Sequence, residues 1–297
     1  MGGRRGIRAS PPTAHTSTDP EKGQPAMTQS PPPTGDTPLV RLTVDRAIAT
    51  ITLDSPRNRN ALSARLRSEL SKALADAVAD DDVRGVVLTG TGPVFCAGAD
   101  LKEVGAALRG EPVEPAPELP EIFEQIMAAP TPVVAVLNGA ARAGGIGLVA
   151  AADIALAPES ATFAFTEVRI GVVPAIISVP VSARMHSRQL SRYYLTGESF
   201  DASAAADAGL ITQAVPDSGM ENAVDAVLRG LRGAAPRALY RTKELLGELG
   251  SGALAAPDRR ADAFTRMGEL SAEFFAGEDA AEGRASFFEK RPPRWAR

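Results

Sequence analysis

The chain contains few of the residue types that carry disulfide, metal or nucleic-acid chemistry. It has one cysteine, Cys96, and two histidines, His15 and His186, in 297 residues. One cysteine cannot form an intramolecular disulfide, and no Cys/His cluster has zinc-site spacing, so we expect a reducing cytoplasm and no metal. No apolar run is long enough to cross a bilayer without glycine, proline or charge, and we expect no membrane partner. The formal charge of −4 lacks the basic excess that nucleic-acid binding requires.

The composition that remains is typical of a globular protein with a large core. Hydrophobic residues make up 44% and charged residues 23%. Residues 1–37 differ, because they combine proline, serine, threonine and glycine with almost no large apolar side chain. This segment is predicted to be a disordered tail, and no apolar stretch follows its arginines as a signal peptide would require. Met27 is an alternative start to Met1.

Hydrophobic patterning predicts strands alternating with helices over residues 38–202, an α/β core. A hairpin is followed by an amphipathic helix that Ser63 would cap, and residues 203–297 are mainly helical, with one apolar run at 210–215. A proline-rich stretch at 105–120 predicts a mobile loop before a short helix at 122–127. The strands are predicted at residues 39–45, 47–53, 86–90, 132–137, 153–157 and 161–165, and the C-terminal helices at 220–231, 236–249, 258–275 and 279–288.

Two glycine-rich turns, each following a buried strand, are the main chemical indication. They are FCAGADL at residues 95–101 and ARAGGIGL at residues 141–148, which opens a helix. Glycine lets the backbone approach a ligand closely, and the first amides of a helix are unpaired. Two amides from separate elements can stabilise negative charge on one oxygen. Glycines that only permit tight turns are the alternative for each motif alone.

The ordered series of motifs resembles the crotonase (enoyl-CoA hydratase/isomerase) superfamily. The matching pieces run from Leu39 to Trp295 and include NAL, FCAGADLKE, PVVAVLNGAARAGGIGLVAAADIALA, FTEVRIGVVP, LTGESFDASAAADAGL and FFEKRPPRW. The resemblance implies a spiral of ββα units followed by a C-terminal helical region. It also implies a homotrimer or a dimer of trimers whose partner is an acyl-CoA thioester, with no cofactor beyond the coenzyme A of the substrate.

The same resemblance assigns catalytic roles to three residues. The amides of Ala99 and Gly144 would hold the thioester carbonyl oxygen, and Glu167 would transfer protons. Two-carboxylate hydratases of this family carry a further glutamate where this chain has Gly147. A solvated surface carboxylate is the alternative for Glu167.

Three functions remain open at this stage. Addition of water to a 2-enoyl-CoA is favoured, because relatives with glycine at this place and a stretch like Pro174–Ser178 resemble hydratases of branched glutaconyl-type thioesters. Isomerisation of a 3-enoyl-CoA with Glu167 as the sole acid and base is the second. A non-catalytic acyl-CoA-binding protein is the third.

The resemblance also assigns coenzyme A contacts. Arg57 and Arg59 precede the NAL motif, and their guanidinium groups are suited to binding phosphates. Lys290 would reach the coenzyme A of a neighbouring subunit as a point charge. The whole predicted set is Arg57, Arg59, Ala61, Leu62, Ala97, Asp100, Leu101 and Lys290. Arg142 would contact an anionic acyl group or form a surface ion pair.

Two enzyme classes compete with this interpretation. Gly145, Gly147 and Ala150 match a dinucleotide-binding G-x-G-x-x-A with Glu167 about 20 residues further on. The first glycine should closely follow its strand, whereas seven residues, Asn138–Gly144, intervene after Leu137. Cys96 as a nucleophile has no nearby histidine, and a small buried thiol is favoured.

Overall fold

Ten strands and eleven α-helices make up the fold over residues 37–249 and 257–296, which the computed structural model describes. The predicted tail, apart from Thr37, and the choice between Met1 and Met27 lie outside these residues. The strands are β1 Val40–Asp45, β2 Ile48–Leu53, β3 Gly85–Gly90, β4 Val94–Cys96, β5 Val133–Val136, β6 Ala140–Arg142, β7 Ile154–Pro158, β8 Thr162–Ala164, β9 Phe200–Asp201 and β10 Gln213–Val215. The helices are α1 Ala64–Ala79, α2 Leu101–Leu108, α3 Leu119–Ala128, α4 Gly144–Ala151, α5 Ser178–Ser182, α6 Ser187–Thr196, α7 Ala202–Asp207, α8 Met220–Gly233, α9 Pro236–Leu249, α10 Pro257–Ala276 and α11 Glu278–Glu289.

The larger sheet has six strands in the order β1–β2–β3–β5–β7–β10. The predicted hairpin is confirmed as the antiparallel pair β1 and β2, and the other neighbours are parallel. Strands buried on both faces read as continuous apolar runs, which is why VVL and VVAV were recognised from sequence. The apolar run at 210–215 contains β10, so the mainly helical C-terminal part also adds one strand to this sheet.

The second sheet was not predicted. It has the order β4–β6–β8–β9, with β4, β6 and β8 parallel. Each of β3, β5 and β7 is followed within a few residues by the corresponding strand of this sheet. The chain therefore winds from one sheet to the other and back, which confirms the predicted spiral of ββα units.

Helix α1 shows how local sequence determines an element here. The hydroxyl of Ser63 accepts a hydrogen bond from the Leu66 amide, as the predicted N-cap requires. Leu66, Leu70 and Leu74 recur on one face and are fully buried. Helix α4 is different, since all eight of its residues are buried. It lies inside the fold and starts at the edge of the second sheet.

The segment predicted as a loop at 105–120 is irregular over most of its length, and its two ends belong to helices. Asp100 accepts hydrogen bonds from the amides of Lys102 and Glu103, which caps α2, and Pro120 lies in the first turn of α3. Only residues 109–118 are irregular. The predicted short helix at 122–127 is confirmed within α3.

The four predicted C-terminal helices are confirmed as α8 to α11. The indole nitrogen of Trp295 donates to the Gly233 carbonyl, and α11 packs on α10. The ammonium group of Lys243 on α9 is buried, donates to the Ile126 carbonyl and pairs with Asp153 at 2.8 Å. Across the described ranges, no helix has the length and apolar character needed to span a bilayer.

Candidate active site

The short strands of the second sheet bring three loops to one edge. Because β4, β6 and β8 are parallel neighbours, their carboxyl ends meet at the same edge, where ligand sites of parallel sheets usually form. Ala99 follows the end of β4 by three residues, Gly144 follows β6 by two, and Glu167 follows β8 by three. The three predicted catalytic residues therefore lie on neighbouring loops.

The loop after β4 leaves the Ala99 amide unused. The Leu62 amide donates to the Gly98 carbonyl over 2.8 Å, and Leu62 forms an isolated parallel bridge with Ala99. In such a bridge the hydrogen bonds of one residue go to the neighbours of its partner, so the bridge does not use the Ala99 amide. In the part of the chain that the structure describes, this amide has no backbone acceptor. It is available to a ligand.

The second amide belongs to Gly144, the first residue of α4. The first amides of a helix have no partner within the helix and carry partial positive charge. Ala143, just before it, has φ 46° and ψ −119°, a conformation that residues with a side chain rarely adopt. Backbone strain of this kind is kept only where the surroundings enforce it, and it is concentrated at functional sites.

Gly98 holds the two loops in contact. Its φ is +86°, and a Cβ at this residue would lie 2.9 Å from Ala143 Cβ and 3.2 Å from Gly144 N. Glycine is therefore required both by its conformation and by the space available. Two amides that start this close together can converge on one oxygen, which is the arrangement of an oxyanion hole.

Glu167 opens a 3-10 helix, Glu167–Ile170, directly after β8. Its side chain is half-buried, and its Oε2 atom is buried without a hydrogen-bond partner among the described residues. Burial raises the pKa of this carboxyl above its ordinary value of 4.5, because the charged form loses hydration. The solvated surface alternative for this residue is wrong. An unpartnered, partly desolvated carboxylate is suited to accept and return a proton.

Tyr194 on α6 lies on the Glu167 side of the site. Its ring packs edge-on against Phe165, with 4.6 Å between ring centroids, and its hydroxyl is 3.4 Å from Ser178 Oγ. Burial, followed by the negative charge of Glu167, raises the pKa of Tyr194. Its phenol stays neutral at ordinary pH and makes the surroundings of the carboxylate less polar than water.

The place of the second family glutamate is filled by an aromatic ring. A Cβ at Gly147 would lie 2.3 Å from Cζ of Phe123, which is 3% exposed. A glutamate cannot occupy this position unless Phe123 moves. The sequence showed that the carboxylate is missing, and the tertiary structure shows that the apolar ring of Phe123 fills the space that the carboxylate would need.

Gly147→Ala is expected to destabilise the protein by about 1–3 kcal/mol, the usual cost of forcing a methyl group into a packed core. Denaturant unfolding measures this, and the double variant with Phe123→Ala should lose less stability than the sum of the two single losses, since the two residues are in contact. Gly230→Ala is the matched control, because Gly230 lies in α8 with nothing within 4 Å of the added Cβ. That control should be neutral or stabilising. Unchanged stability of Gly147→Ala would mean that Phe123 can leave its position.

A cavity of about 280 Å³ adjoins the Ala99 loop. Its apolar lining includes Leu62, Val104 and Val113, and its charged lining includes Arg67, Glu103 and Glu118. Neither Phe123 nor Arg67 was identified from the sequence. Their positions on helices, beside regularly spaced leucines and isoleucines, indicate only core packing and a helix surface.

Seven of the eight predicted coenzyme A residues lie close together. The Ala97 amide donates to the Arg59 carbonyl over 3.0 Å, so the loop carrying Arg57 and Arg59 runs beside the Ala99 loop. Both arginines are exposed, as is Leu101 at 66%. The group comprises Arg57, Arg59, Ala61, Leu62, Ala97, Asp100 and Leu101. Its role in binding coenzyme A stays a prediction.

Lys290, the eighth residue, lies in another part of the fold. It is the exposed C-cap of α11 in a left-handed conformation, next to Arg291, which pairs with Glu282 and Glu289. A contact with the coenzyme A of a neighbouring subunit stays a prediction.

Arg142 forms no ion pair within the described residues, so that alternative is wrong, and its contact with an anionic acyl group stays a prediction. Its guanidinium donates to the carbonyls of Ala141 and Thr162 and to the Thr162 hydroxyl, so it ties β6 to β8. The prediction for Cys96 as a buried thiol is confirmed, and burial raises its pKa to about 12. A thiol of this kind is a poor nucleophile.

One argument against a dinucleotide site also needs correction. The stretch Asn138–Gly144 does contain a strand, β6, so the first glycine does follow a strand closely. The structural objection is different: Phe123 covers Gly147, where the fingerprint requires open backbone for a phosphate. The packing around Gly147 therefore excludes a dinucleotide-binding site at this turn.

Sequence and structure comparisons agree on one family of proteins. The sequence profile described as "Enoyl-CoA hydratase/isomerase" matches residues 43–297. A Rhodobacter capsulatus protein named "Probable enoyl-CoA hydratase" is 33% identical over 257 residues, which cover 86% of this chain and 97% of that protein. An enoyl-CoA hydratase/isomerase from Marinobacter aquaeolei has a similar crystal structure, with a TM-score of 0.77 and 30% identity over 87% of this chain and 99% of its own. An enoyl-CoA hydratase structure from Mycobacterium avium is 40% identical with a TM-score of 0.64, over 86% and 98% of the two chains.

Proposed function

Because the chain belongs to the enoyl-CoA hydratase/isomerase family, we propose that it adds water to a 2-enoyl-CoA thioester with Glu167 as its only carboxylate at the reacting carbons. The observation that carries this proposal is the buried Oε2 atom of Glu167, which has no partner among the described residues, on the loop next to two adjacent amides that are likewise free there. The relatives named as enoyl-CoA hydratases support the choice of reaction.

The two amides would supply the charge stabilisation. A thioester carbonyl oxygen held by the amides of Ala99 and Gly144 can take up the negative charge that develops when a nucleophile attacks the β-carbon. Donors fixed in advance stabilise that charge without reorganisation, and each is worth about 2.7–4 kcal/mol of barrier. The resulting enolate is the intermediate that Glu167 would then protonate.

One carboxylate can complete the addition of water. Glu167 takes a proton from the water as its oxygen bonds to the β-carbon, and the carbonyl oxygen takes the electron pair of the double bond as an enolate. The protonated carboxyl then returns a proton to the α-carbon, and the carbonyl re-forms. The product contains one added water, and Glu167 ends in its initial state. The reaction requires no cofactor beyond the coenzyme A of the substrate.

Isomerisation of a 3-enoyl-CoA is the second candidate, and the packing around Gly147 favours it. The Phe123 ring occupies the space from which a second carboxylate would orient water. With a dienolate held by the same two amides, Glu167 would remove a proton from the α-carbon and return one to the γ-carbon, which moves the double bond without a water molecule.

A panel of straight and branched 2-enoyl- and 3-enoyl-CoA thioesters separates the candidates. Hydration gives loss of conjugation and a mass gain of one water, whereas isomerisation gives conjugation at constant mass. Double-bond migration without mass gain on every thioester would reject hydration. Tight binding with no turnover of any thioester would favour the non-catalytic acyl-CoA-binding protein.

The pH dependence of the reaction follows from the raised pKa of Glu167. Burial keeps its carboxyl protonated to a higher pH than the ordinary 4.5, and only the ionised form can take a proton. We therefore expect kcat/KM to fall as the pH drops through a pKa above 4.5. Rates measured between about pH 4 and 8 test this, and the residual rate of Glu167→Gln should lack this acid limb. An acid limb that persists in Glu167→Gln would assign it to another group.

We further propose a homotrimer or a dimer of trimers in the cytoplasm. Large apolar side chains are exposed near Glu167 and on the C-terminal helices, which supports burial against further copies of the chain. They include Val173, Val179, Leu195, Phe264, Phe275, Phe287 and Phe288. The buried, reduced Cys96 is compatible with a reducing compartment.

A further inference from the structure

The last turn of α6 lies against the stretch of chain that carries Glu167. Two residues after Glu167, Nε of Arg169 donates to the Thr196 carbonyl over 3.3 Å. Two residues before it, the Phe165 carbonyl would lie 3.1 Å from a Cβ at Gly197, the residue that ends α6. Helix α6 is thus held to the chain on both sides of Glu167, and a side chain in its last turn can reach the surroundings of the carboxylate.

Tyr194 is the side chain of this turn that lies on the Glu167 side. Its half-buried ring packs edge-on against Phe165, with 4.6 Å between ring centroids. The charge of Glu167 adds to burial in raising the pKa of Tyr194, so the phenol and the carboxylate are within electrostatic reach of each other. The neighbouring Tyr193 is turned to the core instead, where it is 6% exposed and stacks on Phe200.

The hydroxyl of Ser178 determines how the phenol of Tyr194 can bond. Ser178 Oγ donates to the Pro174 carbonyl over 2.6 Å, a short bond to a group that can only accept. A hydroxyl has a single hydrogen, so Ser178 has only lone pairs left for Tyr194, whose hydroxyl lies 3.4 Å away. The hydrogen between these two oxygens is therefore that of the phenol.

The phenol oxygen of Tyr194 is left with unused acceptor capacity. A distance of 3.4 Å is long for a bond between two hydroxyls, which is normally about 2.7–2.8 Å. In the described part of the chain, Tyr194 Oη makes no hydrogen bond other than this contact with Ser178. Its lone pairs can therefore accept a hydrogen from a small molecule that lies between the phenol and Glu167.

We propose that Tyr194 holds the attacking water together with Glu167, and so replaces the carboxylate that is missing at Gly147. The inference rests on the proposed function, because it concerns the water that is added to a 2-enoyl-CoA. The carboxylate and the phenol oxygen would each accept one hydrogen of the same water. Both hydrogens then have a partner, and a lone pair of the water oxygen is left to face the β-carbon.

The step balances without any change in the protonation of Tyr194. As the water oxygen bonds to the β-carbon, Glu167 takes one hydrogen as a proton, and the electron pair of the double bond moves to the carbonyl oxygen. The second hydrogen stays on the added oxygen, still bonded to Tyr194 Oη, and becomes the hydrogen of the product hydroxyl. Glu167 then returns its proton to the α-carbon.

A neutral phenol has an advantage over a second carboxylate at this position. Two carboxylates around one water would repel each other, and one of them would stay protonated to a higher pH. The phenol accepts the hydrogen bond without adding charge, since its raised pKa keeps it neutral. Glu167 therefore remains the single group that changes its charge during the reaction.

Tyr194→Phe tests the proposal, because it removes the hydroxyl and keeps the ring against Phe165. On the 2-enoyl-CoA that the wild type hydrates fastest, we expect kcat for hydration to fall about 10- to 100-fold, the effect of losing one hydrogen bond to the reacting water. With the saturated thioester of the same chain, exchange of the α-hydrogens in D₂O should continue at close to the wild-type rate. Enolate formation requires Glu167 and the two amides but no attacking water.

Two further variants separate this role from a structural one. Tyr193→Phe is the matched control, since it removes the hydroxyl of the adjacent tyrosine on the same helix; hydration should be unchanged. Ser178→Ala removes the acceptor of the phenol hydrogen and should slow hydration less than Tyr194→Phe does. In the double variant it should cause no further loss, because Ser178 acts only through the phenol.

Three results would overturn the proposal. They are equal kcat for hydration in Tyr194→Phe and the wild type, an equal loss of hydration and α-hydrogen exchange in Tyr194→Phe, and additive losses in the double variant. Hydration that is the same with and without the Tyr194 hydroxyl removes the role of Tyr194 and leaves the proposed function intact. If the wild type adds water to no thioester, the proposed function fails and the role of Tyr194 fails with it.

Discussion

Replacing Glu167 with Gln is expected to lower turnover of the preferred enoyl-CoA by roughly 10²–10⁴-fold, the usual contribution of a positioned general acid–base group. The amide cannot take a proton from water or from the α-carbon. It has nearly the same shape, and Oε2 of the native side chain makes no hydrogen bond within the described residues that the substitution would break. The dissociation constant of a saturated acyl-CoA should therefore stay close to the wild-type value while kcat falls.

The control for this variant is Glu159→Gln. Glu159 is an exposed carboxylate between β7 and β8, on the same stretch of chain as Glu167, and its amide rather than its side chain bonds to Val215. Its substitution should leave kcat/KM and stability unchanged. A Glu167→Gln enzyme that keeps more than about a tenth of wild-type turnover would remove Glu167 from the acid–base role.

Gly98→Ala is expected to lower kcat/KM by about 10²–10³-fold, the effect of losing one oxyanion-hole donor. The new methyl group would lie 2.9 Å from Ala143 Cβ and 3.2 Å from Gly144 N, so the two loops must move apart. The amides of Ala99 and Gly144 could then no longer reach the same oxygen. Steady-state kinetics measures the loss, and circular dichroism confirms that the variant is folded.

Gly110→Ala isolates the effect of separating the loops from that of backbone strain. Gly110 also has a left-handed conformation, with φ +75°, but nothing lies within 4 Å of an added Cβ. An alanine at either position carries a conformational cost of about 1–2 kcal/mol. The free energy of unfolding should therefore fall by at least this amount in both variants. Only Gly98→Ala should lose activity. If the two variants had equal kcat/KM, the close contact between the loops at Gly98 would have no role in catalysis.

The solitary carboxylate has consequences for the whole pocket. Phe123 makes the side of the site at Gly147 apolar, and Arg67 supplies charge at another part of the cavity. In the proposed hydration, the attacking water would then be held by Glu167, Tyr194 and the substrate.

The elements that sequence predicted well are those with a local cause. The hairpin of β1 and β2 alternates apolar and polar residues, and α1 repeats leucine every four residues after a serine cap. The missed strands β4, β6 and β9 have three residues or fewer, too short for alternation to appear. They form because neighbouring strands supply hydrogen bonds. Helix α2 had a local signal, since Asp100 precedes Glu103 by three residues, but the prolines that follow suggested a loop.

By itself, the sequence determined the two glycine-rich turns, because turn conformation depends on a few adjacent residues. The order of its motifs determined the family, and that resemblance implied the ββα spiral. Only the tertiary structure decided which distant side chains meet. It brought Phe123 against Gly147 and Arg67 to the cavity of Ala99, and it placed Arg142 in hydrogen bonds with Thr162. Such contacts join separate elements, and they depend on how α1, α3 and α4 pack around the edge of the second sheet. No pattern within one helix records that packing.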